Sequence, residues 1–173
     1  MEFRYDAYCG LYCGACGVLI ANERDKLEQL AKAWKVEPEK LECHGCKSET
    51  SSSFCVSCNI RNCAESKDID FCFQCEQFPC TRLVEFKNDK YTHHSIILRN
   101  LAFIRDKGVG EWLEEQRIRW SCPSCGERFS WYDEICKKCG RKLHNCVNDL
   151  KTVQHFEKTE GEPQSTTPPF ADA

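Results

Sequence analysis

The residues in this chain best equipped for chemistry are its cysteines. Sixteen of 173 residues are cysteine, and twelve of them stand in Cys-x-x-Cys pairs: Cys13/Cys16, Cys43/Cys46, Cys55/Cys58, Cys72/Cys75, Cys122/Cys125 and Cys136/Cys139. Two thiolates at that spacing on a tight turn, here called a knuckle, supply half of a tetrahedral metal site. Metal binding, to several ions, is the chemistry the spacing points to.

The most specific pattern lies near the C-terminus. Cys122-Pro-Ser-Cys125-Gly and Cys136-Lys-Lys-Cys139-Gly are two knuckles ten residues apart. Four thiolates so arranged predict one Zn²⁺ held by Cys122, Cys125, Cys136 and Cys139 in a zinc ribbon over residues 121–143. The intervening Arg128-Phe129-Ser130-Trp131-Tyr132 has strand character, which makes the ribbon a small β unit. Arg117, Arg119, Arg128, Lys137, Lys138, Arg141 and Lys142 outnumber Glu127, Asp133 and Glu134 around it. Such a basic face could meet a protein or nucleic-acid partner. Trp120, Phe129, Trp131 and Tyr132 could add stacking on single-stranded nucleic acid. A unit this small also needs those aromatics for its own packing, and that is the reading adopted.

Cys9, Cys13, Cys16, Cys43, Cys46, Cys55, Cys58, Cys63, Cys72, Cys75 and Cys80 form a second set of candidate ligands. His44, inside a knuckle, could be a twelfth; Cys146 reads as a lone thiol. Twelve ligands would fill three tetrahedral sites, and eight would fill two. Spacing does not fix the pairing, because such sites interleave. Cys9-x-x-x-Cys13-x-x-Cys16 also suits three irons of a [4Fe–4S] cluster, with Cys80 or another thiolate as the fourth ligand. Thiolates serve zinc and iron–sulfur alike, so the alternative to zinc is an iron–sulfur electron carrier or redox sensor. His93-His94 reads as two surface histidines in the first turn of a helix.

Helical periodicity supplies the elements that must position these groups. Leu27, Leu30, Ala31 and Trp34 predict a helix over 22–35, with Asn22 as N-cap. Pro79 opens a helix over 79–88. Thr92 caps one over 92–106, whose apolar face is Ile96, Ile97, Leu101 and Ile104, and a fourth follows over 110–119. Residues 43–80 show little periodicity and read as loops organised by metal. The expected fold is therefore α plus irregular: three or four helices around cysteine knuckles over 1–120, then the β zinc ribbon at 121–143. Residues 157–173 read as a mobile tail.

Hydrophobic residues make up 41% of the chain only when the cysteines are counted, and small cores of this kind lean on metal. The net charge of −3 gives no global attraction to nucleic acid. No basic-then-apolar leader and no long apolar run is present, which predicts a cytoplasmic protein without membrane insertion. Thiols stay reduced there, favouring metal over disulfides. No nucleophile–base pair, paired acid–base carboxylates or phosphate-cradling glycine loop stands out. The expectation is a zinc-binding protein with structural metals that acts as a macromolecular-interaction or regulatory module.

Four stretches carry a resemblance: Tyr8-Cys-Gly-Leu-Tyr-Cys-Gly-Ala-Cys16, Cys43-His-Gly-Cys-Lys-Ser48, Cys58-Asn-Ile-Arg-Asn-Cys-Ala64 and Cys72-Phe-Gln-Cys-Glu-Gln-Phe-Pro-Cys80. They resemble the cysteine-rich microbial family called domain of unknown function 3795. Trp112-Leu-Glu-Glu-Gln116 and the ribbon look like an extension carried by some members. The resemblance implies a small metal-binding protein and no particular activity.

Overall fold

A computed structural model describes residues 2–148, so the tail at 157–173 lies outside the described residues. The described chain is mainly helical. In order come α1 (Gly17–Glu23), α2 (Leu27–Trp34), α3 (Ser53–Val56), α4 (Asn59–Ser66), α5 (Thr81–Lys87), α6 (Ile97–Lys107) and α7 (Val109–Arg119). Short 3₁₀ turns at Cys13–Ala15, Pro38–Leu41, Cys72–Gln74 and Thr92–His94 lead into them.

Backbone chemistry sets the breaks. Asp25 adopts φ 52° and separates α1 from α2, while Lys35 closes α2 in the left-handed conformation at φ 56°. Gly108, at φ 87° and ψ 159°, splits α6 from α7, because that extended, positive-φ backbone cannot continue a helix and glycine takes it without strain. On α6, Ile97, Asn100, Leu101 and Ile104 recur on one face and are buried. They meet Trp112 of α7, which is fully buried, together with Tyr12, Ala15 and Leu83. Trp120, Phe129, Trp131 and Leu143 join the same core from the C-terminal side. A smaller cluster of Val18, Ala31, Leu41 and Cys43 sits between α1, α2 and the Pro38–Leu41 turn.

Two glycines mark where the cysteine loops touch this scaffold. Gly10 has φ 81°, and a Cβ there would lie 2.8 Å from Leu101 Cγ and 3.0 Å from the Ile97 carbonyl. Asn100 Nδ2 donates to the Gly10 carbonyl at 2.8 Å, pinning the loop on α6. At Gly45 a Cβ would collide with the Arg4 carbonyl oxygen.

Several expectations need correction. The helix placed over 22–35 is two helices, and Asn22 is no N-cap. It lies inside α1, where Nδ2 donates to the Val18 and Leu41 carbonyls at 2.8 and 2.9 Å and Oδ1 accepts the Cys43 amide at 3.1 Å. Residues 43–80 contain α3 and α4, where only loops were expected. Pro79 precedes α5, whose N-cap is Cys80. Thr92 opens a 3₁₀ turn, and α6 begins at Ile97.

The β ribbon is not present among the described residues. Only isolated bridges occur, Ser121 with Arg128 and Ile135 with Lys142. The physical reason is that residues 128–133 turn inward. Ser130 and Asp133 close a turn on themselves, and the Trp131 amide donates to the Ala15 carbonyl at 3.2 Å. A segment committed to the helical core in this way has no run of free backbone left for a ladder.

Candidate metal centre

The first knuckle is closed by the Cys122 amide donating to Glu127 and the Gly126 amide to Cys122; the second repeats this with Cys136 to Arg141 and Gly140 to Cys136, all at 2.8–2.9 Å. Gly126 and Gly140, at φ 71° and 75°, take the left-handed angles these turns need. The two turns bring the thiols of Cys122, Cys125, Cys136 and Cys139 within 4.8 Å of one another. Cys122 Sγ and Cys139 Sγ are 3.6 Å apart, as are Cys125 Sγ and Cys136 Sγ. A tetrahedron with metal–sulfur bonds of about 2.3 Å has sulfur–sulfur edges of about 3.8 Å, so this donor set fits one four-coordinate ion.

The local fields split two of the thiols. Burial works to raise the Cys122 thiol, but the amides of Ser124 and Cys125 and the neighbouring thiols bring it down to about 6. Cys125 accepts the Glu127 amide and yet is held up at about 12 by burial and by the thiols around it. Four thiols crowded together share protons, and a metal ion would take the protons' place.

The aromatics around the knuckles are packing groups. Trp120, Phe129 and Trp131 are buried, and Tyr132 is exposed. Trp120 Nε1 donates to Gln116 Oε1 at 3.1 Å, as a buried indole requires. Of the two histidines read as surface groups, His94 is buried and His93 is only partly exposed. His94 is stacked on Phe86 at 3.8 Å and bonded to Asp89 at 2.9 Å. His93 stacks on Trp131 at 4.0 Å, and its Nδ1 lies 2.7 Å from Tyr132 Oη. Cys146 is buried beside them, and its amide donates to the Trp131 carbonyl at 2.9 Å.

Charged contacts lace the knuckles to α1. Arg24 pairs with Glu127 at 2.8 Å and donates to the Arg128 carbonyl at 3.0 Å, while Arg128 pairs with Glu23.

The eleven N-terminal cysteines are linked by a chain of mutual electrostatic influence. Cys9 lies within electrostatic reach of Cys46, Cys72 and Cys58, and Cys13 of Cys46, Cys16 and Cys9. Cys16 lies within electrostatic reach of Cys43 and Cys55, and Cys55 in turn of Cys43 and Cys58. Cys72 lies near Cys80, Cys63 and Cys75. Among the described residues, only the knuckle thiols Cys122, Cys125, Cys136 and Cys139 converge within 4.8 Å as a group. The Cys9/Cys13/Cys16 triplet is therefore brought into one neighbourhood without forming such a group itself. His44 is turned toward Phe3, edge to face at 5.0 Å. Burial drives the Cys9 and Cys13 thiols well above their ordinary value, Cys16 to about 11, and Cys46 and Cys72 to about 12. As bare thiols these groups stay protonated at neutral pH, and a metal must displace the proton.

Sequence reasoning missed the cations that hold this zone. Lys47 Nζ bonds Asp6 at 2.7 Å and lies 3.6 Å over the Phe71 ring. Arg61 bonds Glu65 at 2.8 Å, the Ser48 carbonyl at 3.3 Å and the Ser51 hydroxyl, tying α4 to the 48–51 loop. Both lie inside the cysteine motifs quoted above, and that position is the one signal that could have marked them.

Residues 5–85 match the model of a family described as protein of unknown function (DUF3795). The match spans the eleven N-terminal cysteines and stops short of the knuckles at 122–139. No curated protein and no solved structure matches the chain.

Proposed function

We propose that this is a zinc-binding protein whose thiolate sites are structural and whose folded surface serves as an interaction or regulatory module. The observation that carries the reading is the convergence of Cys122, Cys125, Cys136 and Cys139. Four thiolates leave a zinc ion no open position for substrate or water, the mark of a structural site. The partner would be met through the basic face formed by Lys137, Lys138, Arg141 and Lys142. Three of the four neighbouring aromatics are buried, which favours an acidic protein surface over stacked bases. No described helix is long and apolar enough to cross a membrane.

The test is metal counting. Elemental analysis of the Cys122→Ser/Cys136→Ser double variant should show one zinc fewer than the parent protein. An unchanged count refutes the site.

A second reading keeps iron–sulfur in the N-terminal zone, supported by the burial of Cys9 and the partial burial of Cys13 and Cys16 beside further thiols. Protein purified without oxygen would then be brown, absorb near ~400 nm and carry iron with matching sulfide. A colourless preparation holding only zinc eliminates this reading.

A further inference from the structure

The eleven N-terminal cysteines pose a pairing problem that spacing alone leaves open. The structure gathers four of them around one cavity, without the convergence within 4.8 Å seen at the C-terminal knuckles. A cavity of ≈ 370 Å³ opens between α4, α5 and the Cys72–Gln74 turn, and Cys63, Cys72, Cys75 and Cys80 all line it. They arrive from three pieces of local structure. Cys63 is carried on α4, and Cys80 caps the N-terminus of α5. Cys72 and Cys75 form a knuckle, closed by the Cys75 amide donating to the Cys72 carbonyl at 3.2 Å. The turn is anchored from outside, because the Cys72 amide donates to the Tyr8 carbonyl at 2.8 Å.

We propose that Cys63, Cys72, Cys75 and Cys80 are the ligands of a second four-thiolate metal centre, distinct from the one at Cys122–Cys139.

Two further observations point the same way. The Gln77 amide hydrogen-bonds to the Cys75 sulfur, two residues back, as the Glu127 amide does to Cys125 in the C-terminal knuckle. Amides aimed at sulfur in this way stabilise a metal-bound thiolate. The second observation is charge. A divalent ion or a [4Fe–4S]²⁺ core held by four thiolates carries a net charge of about −2. Two cations line the cavity to balance it: Lys67, whose Nζ lies 3.1 Å from Cys75 Sγ, and Arg82, held by the Asn59 carbonyl at 3.2 Å. The floor is apolar, with Ala64 and Leu83 both almost fully buried. Zinc and iron–sulfur share this chemistry of soft thiolate donors with cationic compensation, and the experiment separates them.

The inference rests on the reading of this chain as a thiolate metal protein, so the test is run beside the knuckle variant. Full-length protein, its Cys72→Ser/Cys80→Ser double variant and the Cys122→Ser/Cys136→Ser double variant are purified without oxygen. Zinc, iron and acid-labile sulfide per chain are then measured. The proposal expects Cys72→Ser/Cys80→Ser to lose one centre while keeping the C-terminal zinc. Loss of zinc alone identifies a mononuclear site; loss of iron with sulfide and of absorption near ~400 nm identifies a cluster. Unchanged metal and sulfide would overturn it. If only the knuckle variant keeps its full metal count, the C-terminal reading fails and this one stands. Because a serine variant can misfold, the parent protein is also alkylated with iodoacetamide before and after chelation and read by mass spectrometry. Cys63, Cys72, Cys75 and Cys80 should be protected together and exposed together. Independent labelling of the four before chelation overturns the proposal.

Discussion

At the scale of single residues, Lys47 is the group on which most depends. Its ammonium is almost fully buried, paired with an equally buried Asp6 and seated over Phe71. Removing one partner of such a pair strands the other charge. Lys47→Met is therefore expected to cost about 3–5 kcal/mol in denaturant unfolding. Burial works to raise the Asp6 carboxyl, but Lys47 and then Arg4 outweigh it and hold it below its ordinary 3.8. A depressed folded-state value means the contribution is complete above the unfolded value near pH 4 and is lost as pH falls below it. His93 has a different window. Burial, and then His94, lower it to about 3 from an ordinary 6.5, so the folded state resists a proton that the unfolded chain accepts. Its ring should cost stability progressively as pH falls from 6.5 toward 3. His93→Phe keeps a ring against Trp131 and should flatten that part of the stability–pH curve. A curve unchanged in shape would show that His93 is not a source of the acid sensitivity.

At the scale of elements, the α6–α7 hairpin supports the cysteine loops. Leu101 is fully buried, packs under Gly10 and belongs to the same cluster as Trp112. Leu101→Ala should cost about 2–5 kcal/mol, and Gly10→Ala should also destabilise, through the left-handed φ and the clash with Leu101. Thermal unfolding of both variants checks this, and a Gly10→Ala protein as stable as the parent would refute the close approach. These helices were legible in advance because their apolar residues recur every three or four positions among charged ones. Helix α1 was not, since Gly17-Val-Leu-Ile-Ala21 is continuously apolar and has no period to read. Helix α4 was hidden because Cys63 drew the eye to metal chemistry while only Ile60 and Ala64 mark its buried face. Asn22 misled because a cap and an interior amide clamp look identical in sequence. The four knuckle ligands were legible from spacing alone. The strand expected over Arg128–Tyr132 is absent, and nothing in that stretch reveals that Trp131 is drawn onto Ala15.

At the scale of the whole molecule, the knuckles and α6–α7 share one hydrophobic core, whereas residues 43–80 contribute only Ile60 and Phe71 to its buried set, with Cys43 in the smaller cluster. On the proposed metal-binding reading, metal supplies much of the order there; structural zinc can contribute on the order of 10 kcal/mol. A strong chelator under reducing conditions should deprotect residues 43–80 in hydrogen exchange before α6. Acid should act in the same direction, because the thiols of Cys9, Cys13, Cys46 and Cys72 hold protons tightly and a metal competes with them. Full protection of 43–80 after metal removal would show that the metals are not structural. The lacing of α1 to the knuckles has one more consequence, in time. Arg24 and Arg128 are joined across 104 positions of chain. At about 5–20 residues per second, a ribosome takes on the order of 5–20 s to make that stretch. For that interval the first cysteines exist without the surface that will cover them, so a newborn chain is more open to oxidation or mismetallation than the finished protein.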